Sequence, residues 1–155
     1  MTAEEKKDIE LEVTKLYRAA RAVVAKNQVL INDAEKGDKG LTPEKVIGDA
    51  KTALGGEFKQ ADKATFKGQA QQAMLDAIQE TMKSAQALIN QKGKGFKGFI
   101  PAVFGKQAAD SFNKHIAGKA FIKLTAPKDY VRNRANRPDE WENNVIENQF
   151  KKAGY

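Results

Sequence analysis

Apolar side chains recur at spacings of three and four from Ile9 through Val13, Leu16 and Ala20 to Val23 and Val24. One such stripe predicts a long helix from Glu4 to about Asn27. Acids crowd its start and Lys/Arg its later turns, which suits the helix dipole. Asn32 to Gly40 is rich in turn residues and ends it. Thr42-Pro43-Glu44 marks a second start: a capping hydroxyl, a proline in the first turn, then an acid. Val46, Ile47, Ala50 and Leu54 give this short helix its apolar face, and Gly55-Gly56 stops it. Residues 57–66 are polar and assign no element. A second long stripe follows from about Lys67 to Asn90: Ala70, Met74, Ala77, Ile78, Thr81, Met82, Ala85 and Ile89. Its small side chains let helices approach closely, so it is expected to pack on the first long helix as an antiparallel pair; lining a cofactor pocket is the alternative use of the same stripe.

The later third is more broken. Gln91 to Gly98 is a glycine-rich joint without the GxxxxGK[ST] spacing of a phosphate loop. Phe99 to Phe104 is a short apolar run with Pro101, and a short helix runs from Lys106 to about Ile116, ending at Gly118. Ala120-Phe121-Ile122-Lys123-Leu124-Thr125 has strand composition and partial alternation, closed by Pro127. Pro138-Asp139-Glu140 opens a final helix. Its apolar face is Trp141, Val145, Ile146 and Phe150, with Trp141 as the core anchor. The pattern therefore predicts an α+β fold that is helix-dominated, with long N-terminal helices (the first filling residues 1–30) and a small antiparallel sheet.

Composition narrows the chemistry. At 155 residues the chain has room for one domain and one core, and 41% hydrophobic with 30% charged residues is ordinary for a globular chain. There is no cysteine, which excludes disulfides, thiolate zinc, iron–sulfur clusters, a cysteine nucleophile and covalent c-type haem. The single histidine, His115, would have to carry any histidine chemistry alone. No apolar run approaches a membrane span, and no signal peptide is visible at the acidic N-terminus. No paired carboxylates or nucleophile motif stands out, so the chain reads as a non-enzyme.

The net charge of +7 is unevenly placed. Between Lys92 and Arg137 eleven cations face two anions, a net +9, which leaves −2 for the remainder. Such a region attracts phosphate, anionic lipid, an acidic partner or a ligand carboxylate; a solvated lysine-rich surface has the same composition.

Lys123-Leu124-Thr125-Ala126-Pro127, followed by Val131-Arg132-Asn133, Ala135-Asn136-Arg137-Pro138-Asp139 and Trp141-Glu142, resembles the Tll0287-like (DUF3365) family. Arg21-Ala22-Val23-Val24, Asn27 to Asn32, Lys39 to Pro43 and Phe96 to Ala102 are similar to other parts of it, so the matching pieces span nearly the whole chain. The resemblance implies a single PAS-like sensor domain over residues 1–155, periplasmic or otherwise extracytoplasmic in bacteria, of the kind placed ahead of histidine kinases or chemoreceptors. Many members carry one c-type haem. This chain has Arg134 where the family motif has proline, and it stops before the strands and the CxxCH motif that members carry. What is implied is a truncated member, one part of a larger assembly, or a natural member without haem, haem-free as given and with a sheet that could be incomplete.

Arg132, Asn133, Asn136 and Arg137 are the candidate ligand-binding residues. Arginine offers a planar fork of donors and asparagine both donor and acceptor, a set suited to a small anionic or carboxylate ligand. The same residues could instead tie down their own loop, with arginine pairing to Asp139 or Glu142. His115 is the candidate axial haem ligand. Three classes of function follow: a sensory or ligand-binding module, a structural or assembly subunit using its long helices, and a nucleic-acid binder. The last is suggested only by aromatics interleaved in the basic third. Exposed strand groups around Ala120 to Leu124 and the long helices point to a homodimer or a larger assembly.

Overall fold

The computed structural model describes residues 1–56, 58–123 and 139–146. Contacts group them into two units, Met1–Ile122 and Lys123–Tyr155.

The first unit is built on five helices: α1 Ala3–Lys26, α2 Gln28–Ile31, α3 Pro43–Ala53, α4 Phe66–Ile89 and α5 Pro101–His115. Their boundaries follow local chemistry. Thr2 and Glu5 form a capping box at α1, and the Thr42 and Thr65 hydroxyls cap α3 and α4 by accepting from Lys45 N–H and Gly68 N–H. α5 begins at Pro101 rather than near Lys106, because proline fits the first turn and Ile100 carries the extended backbone before it. Gln71 is fully buried in α4 and fixes the preceding linker. Its Oε1 accepts from Ala61 N–H at 2.8 Å, and its Nε2 donates to Lys59 O at 3.0 Å.

The two apolar stripes meet as expected, and α4 touches α1, α3 and α5 around one core centred on Leu16, Ala20, Met74, Ile78, Phe104 and Ala108. Their direction is the reverse of the expectation: α1 and α4 run parallel. Near their starts Asp8 pairs with Lys67 at 2.8 Å, and the loops that leave their far ends bond to each other. The helix α5 is held against α1 by Tyr17, whose hydroxyl donates to Gly105 O at 2.9 Å. Burial raises the phenol above its ordinary pKa, with the Arg21 charge opposing.

The expected sheet is overturned, and with it the PAS-like α+β architecture: among the described residues there is no strand. A side chain takes the bonds a ladder would need. Asn113 on α5 accepts from Ile122 N–H and donates to Ile122 O, each at 2.8 Å, so the segment is pinned to the helix while Ile122 packs on the core. Phe121 points away at 72% exposure. Leu124 and Thr125 of the expected strand lie outside the described residues.

In the second unit, α6 (Glu140–Val145) starts at Asp139 with a capping box closed by Glu142, whose carboxylate also takes Lys123 Nζ at 2.8 Å. Pro138, the expected start, lies outside the described residues. Trp141 is 73% exposed and is no core anchor; Ile146, five residues on, is the buried member of that face.

Candidate functional site

The two loops at the shared end of α1 and α4 obey one pattern. Residues 28–43 and 86–101 coincide at nine of sixteen positions when shifted by 58: Gln28/Gln86, Leu30/Leu88, Ile31/Ile89, Asn32/Asn90, Lys36/Lys94, Gly37/Gly95, Lys39/Lys97, Gly40/Gly98 and Pro43/Pro101. The same shift maps the bonds. Asn32 Oδ1 accepts from Lys97 N–H at 2.9 Å, and Asn90 Oδ1 accepts from Lys39 N–H at 2.9 Å. Gln28 Nε2 donates to Phe99 O at 2.9 Å, and Gln86 Nε2 donates to Leu41 O at 2.8 Å. Each half supplies what the other receives, so exchanging the halves restores the arrangement. That is a local two-fold axis, running along the direction of the parallel helices.

The lysines explain why the loops hold their shape. Lys39 and Lys97 are buried, and each turns its ammonium back onto its own loop. Lys39 Nζ donates to Lys36 O and Gly37 O; Lys97 Nζ donates to Lys94 O, Gly95 O and, at 3.0 Å, Ile31 O. Backbone carbonyls left over at a turn thereby gain donors inside the protein. Gly40 and Gly98 follow at φ 68° and 73°, a backbone that L side chains rarely adopt, and they redirect the chain into the proline-led helices α3 and α5. Burial pushes the Lys97 ammonium below its ordinary pKa and the neighbouring Lys39 charge adds to this.

What the halves do not share is equally ordered. Among the positions that differ, Leu41 and Phe99 are buried in both halves, whereas Asp38 against Phe96, Thr42 against Ile100 and Val29 against Ala87 are exposed in both. Val29 is 89% exposed and Phe96 70%, with Ile100 beside the rim. Three of the seven exposed large apolar side chains among the described residues therefore belong to this one end. Each half also carries its own helix signals, and the repeat stands out only when the chain is set against itself at a shift of 58.

The sequence-derived candidates fare differently. Arg132, Asn133, Asn136 and Arg137 lie outside the described residues. His115 closes α5 on the outer face, with Nε2 2.9 Å from Glu80 Oε1, while Glu80 Oε2 accepts from Ser111 Oγ at 2.8 Å. Ser111 and His115 both turn to the carboxylate, so this is no serine–histidine relay. Ser111 and His115 hold the Glu80 carboxyl below its ordinary value. A c-type haem does not fit this chain: the thioethers need cysteine, and His115 Nε2 is engaged by Glu80. Among the described residues no three His, Cys, Asp or Glu side chains gather as a metal site, and no helix is long and apolar enough to cross a membrane. Comparison of the chain with family models, curated proteins and solved structures returns no match.

Proposed function

We propose that this chain is a non-catalytic binding module, a doubled helical scaffold that presents its loop end to a protein partner. The observation that carries this reading is the division of labour between the halves. Residues that shape the loops are shared: Gln28/Gln86, Asn32/Asn90, Lys39/Lys97, Gly40/Gly98 and Pro43/Pro101. Several exposed positions diverge, and one half exposes Phe96 and Ile100 where the other exposes Asp38 and Thr42. A large aromatic held in water by a rigid loop is the usual anchor of an interface. The resemblance to the Tll0287-like family favours a place in extracytoplasmic signal transduction, without haem and without the expected sheet. An assembly subunit would use the same surface.

A photo-crosslinking side chain placed at position 96 in the full chain, with position 10 on α1 as control, tests this in cells. Adducts from position 96 and not from position 10 are the expected result. Adducts from both alike, or from neither, contradict the reading.

A further inference from the structure

The charges at the loop end narrow the partner. Outside the caged Lys39 and Lys97, residues 33–40 carry Asp33, Glu35 and Asp38 against Lys36, a net −2. Residues 91–98 carry Lys92 and Lys94 with no acid, a net +2. The two loops lie side by side, since Gly93 N–H donates to Ala34 O at 2.7 Å. One end of the molecule thus shows an acidic loop and a basic loop whose solvent-facing charges are opposite in sign, with Val29, Phe96 and Ile100 exposed at the same end.

We infer that this end is self-complementary and that a second copy of the chain docks on it, loop end to loop end. The proposal rests on the reading of this end as the binding face. Consider a two-fold axis at right angles both to the helices and to the line joining the loops. It sets the acidic loop of one copy against the basic loop of the other, and does so twice. The contact is isologous and closes as a dimer without growing into a filament. Phe96 of each copy then leaves water in the contact, and Lys92 and Lys94 face carboxylates instead of solvent. An anionic lipid surface fits less well, because Asp33, Glu35 and Asp38 would be pressed against it along with the lysines. The patch is small, so the dimer forms in a concentration-dependent way rather than as an obligate pair.

The variants should fold. Phe96 is exposed, and the first half already tolerates an acid at its equivalent position, Asp38. The second half in turn tolerates a non-acid at the position of Asp38. Sedimentation equilibrium of the full chain over a concentration series, in low and high salt, is the measurement. The parent should dimerise, and more weakly in high salt, as screened charges require. Phe96→Asp should weaken the dimer at least about tenfold, the loss of one aromatic anchor. The strongest arm is a charge exchange. Lys92→Glu with Lys94→Glu leaves two acidic loops, and Glu35→Lys with Asp38→Lys leaves two basic ones. Each double variant should be monomeric alone, and the two mixed should pair. A parent that stays monomeric at every concentration, or a dimer indifferent to these changes, overturns the proposal. So does a monomeric parent that pellets with phosphatidylglycerol vesicles. An adduct from position 96 to a different protein, and never to a second copy, would remove this proposal while leaving the binding face in place.

Discussion

Replacing Asn32 or Asn90 by alanine tests the two-fold arrangement directly. Asn32 Oδ1 is the acceptor for Lys97 N–H and Asn90 Oδ1 the acceptor for Lys39 N–H, both at 2.9 Å. The two lysines are only 4–5% exposed, so water cannot replace the lost acceptor. An orphaned buried donor costs about 1–3 kcal/mol. Asn90 also donates to Gln86 Oε1 at 3.2 Å, which places its alanine variant toward the upper part of that range. With a urea dependence of about 1–3 kcal/mol per molar, each midpoint should fall by roughly 1 M while the slope stays constant. Asn32→Asp keeps an acceptor at the same place and should recover most of the loss. The double variant should depart from additivity, because the loops touch through Gly93 and Ala34. Urea titration followed by far-UV circular dichroism reads the parent and the four variants. Equivalent halves require both alanine variants to be destabilised. One large effect beside a silent partner, or two variants within about 0.3 kcal/mol of the parent, would refute the reasoning.

Two glycines give opposite expectations in thermal melting. A Cβ at Gly68 would stand 2.1 Å from Asp62 O, a backbone atom, so Gly68→Ala should destabilise by about 1–3 kcal/mol, whereas Gly48→Ala on the open face of α3 should stabilise by about 0.5–1 kcal/mol. Tyr17→Phe removes the bond to Gly105 O and should cost about 1 kcal/mol by the same titration. Glu80 has a folded pKa below its usual 4.5, so its contribution is complete above that value and is lost as pH falls through the folded one; melting temperatures of parent and Glu80→Gln should therefore converge in that acid range.

The helices were legible because each signal is local. Thr42 before Pro43, or the stripe from Ala70 to Ile89, needs only neighbouring residues to be read. The direction of packing was not. An antiparallel pair is the default for two long helices joined by a short connection, but here α3 intervenes between α1 and α4 and returns the chain to the starting end. The strand failed for a different reason. Ala120 to Thr125 has the composition, yet Asn113 supplies both hydrogen bonds to Ile122, and no sequence rule foresees a helix side chain standing in for a neighbouring strand. Trp141 shares its apolar face with Val145, Ile146 and Phe150 in the sequence, yet Ile146 takes the buried position and Trp141 stays exposed. The candidate site was half visible: Gln91 to Gly98 stood out as a glycine-rich joint, but its meaning came from Lys39 and Asn32 in the other half.

That exchange of partners between halves has a consequence for how the chain must be made. Neither hairpin can finish its own loop. The amide of Lys39 waits for Asn90, and Asn32 waits for Lys97, so the half synthesised first leaves the ribosome with its turn incomplete. Folding of Met1–Ile122 therefore depends on contacts between residues far apart in the chain, the kind that slows folding. In the interval, two nascent first halves carry each other's missing partners, because Asn32 of one is the counterpart of Asn90 for the other. The same symmetry that completes the monomer thus offers a ready path to strand-free domain exchange between neighbouring chains on a polysome.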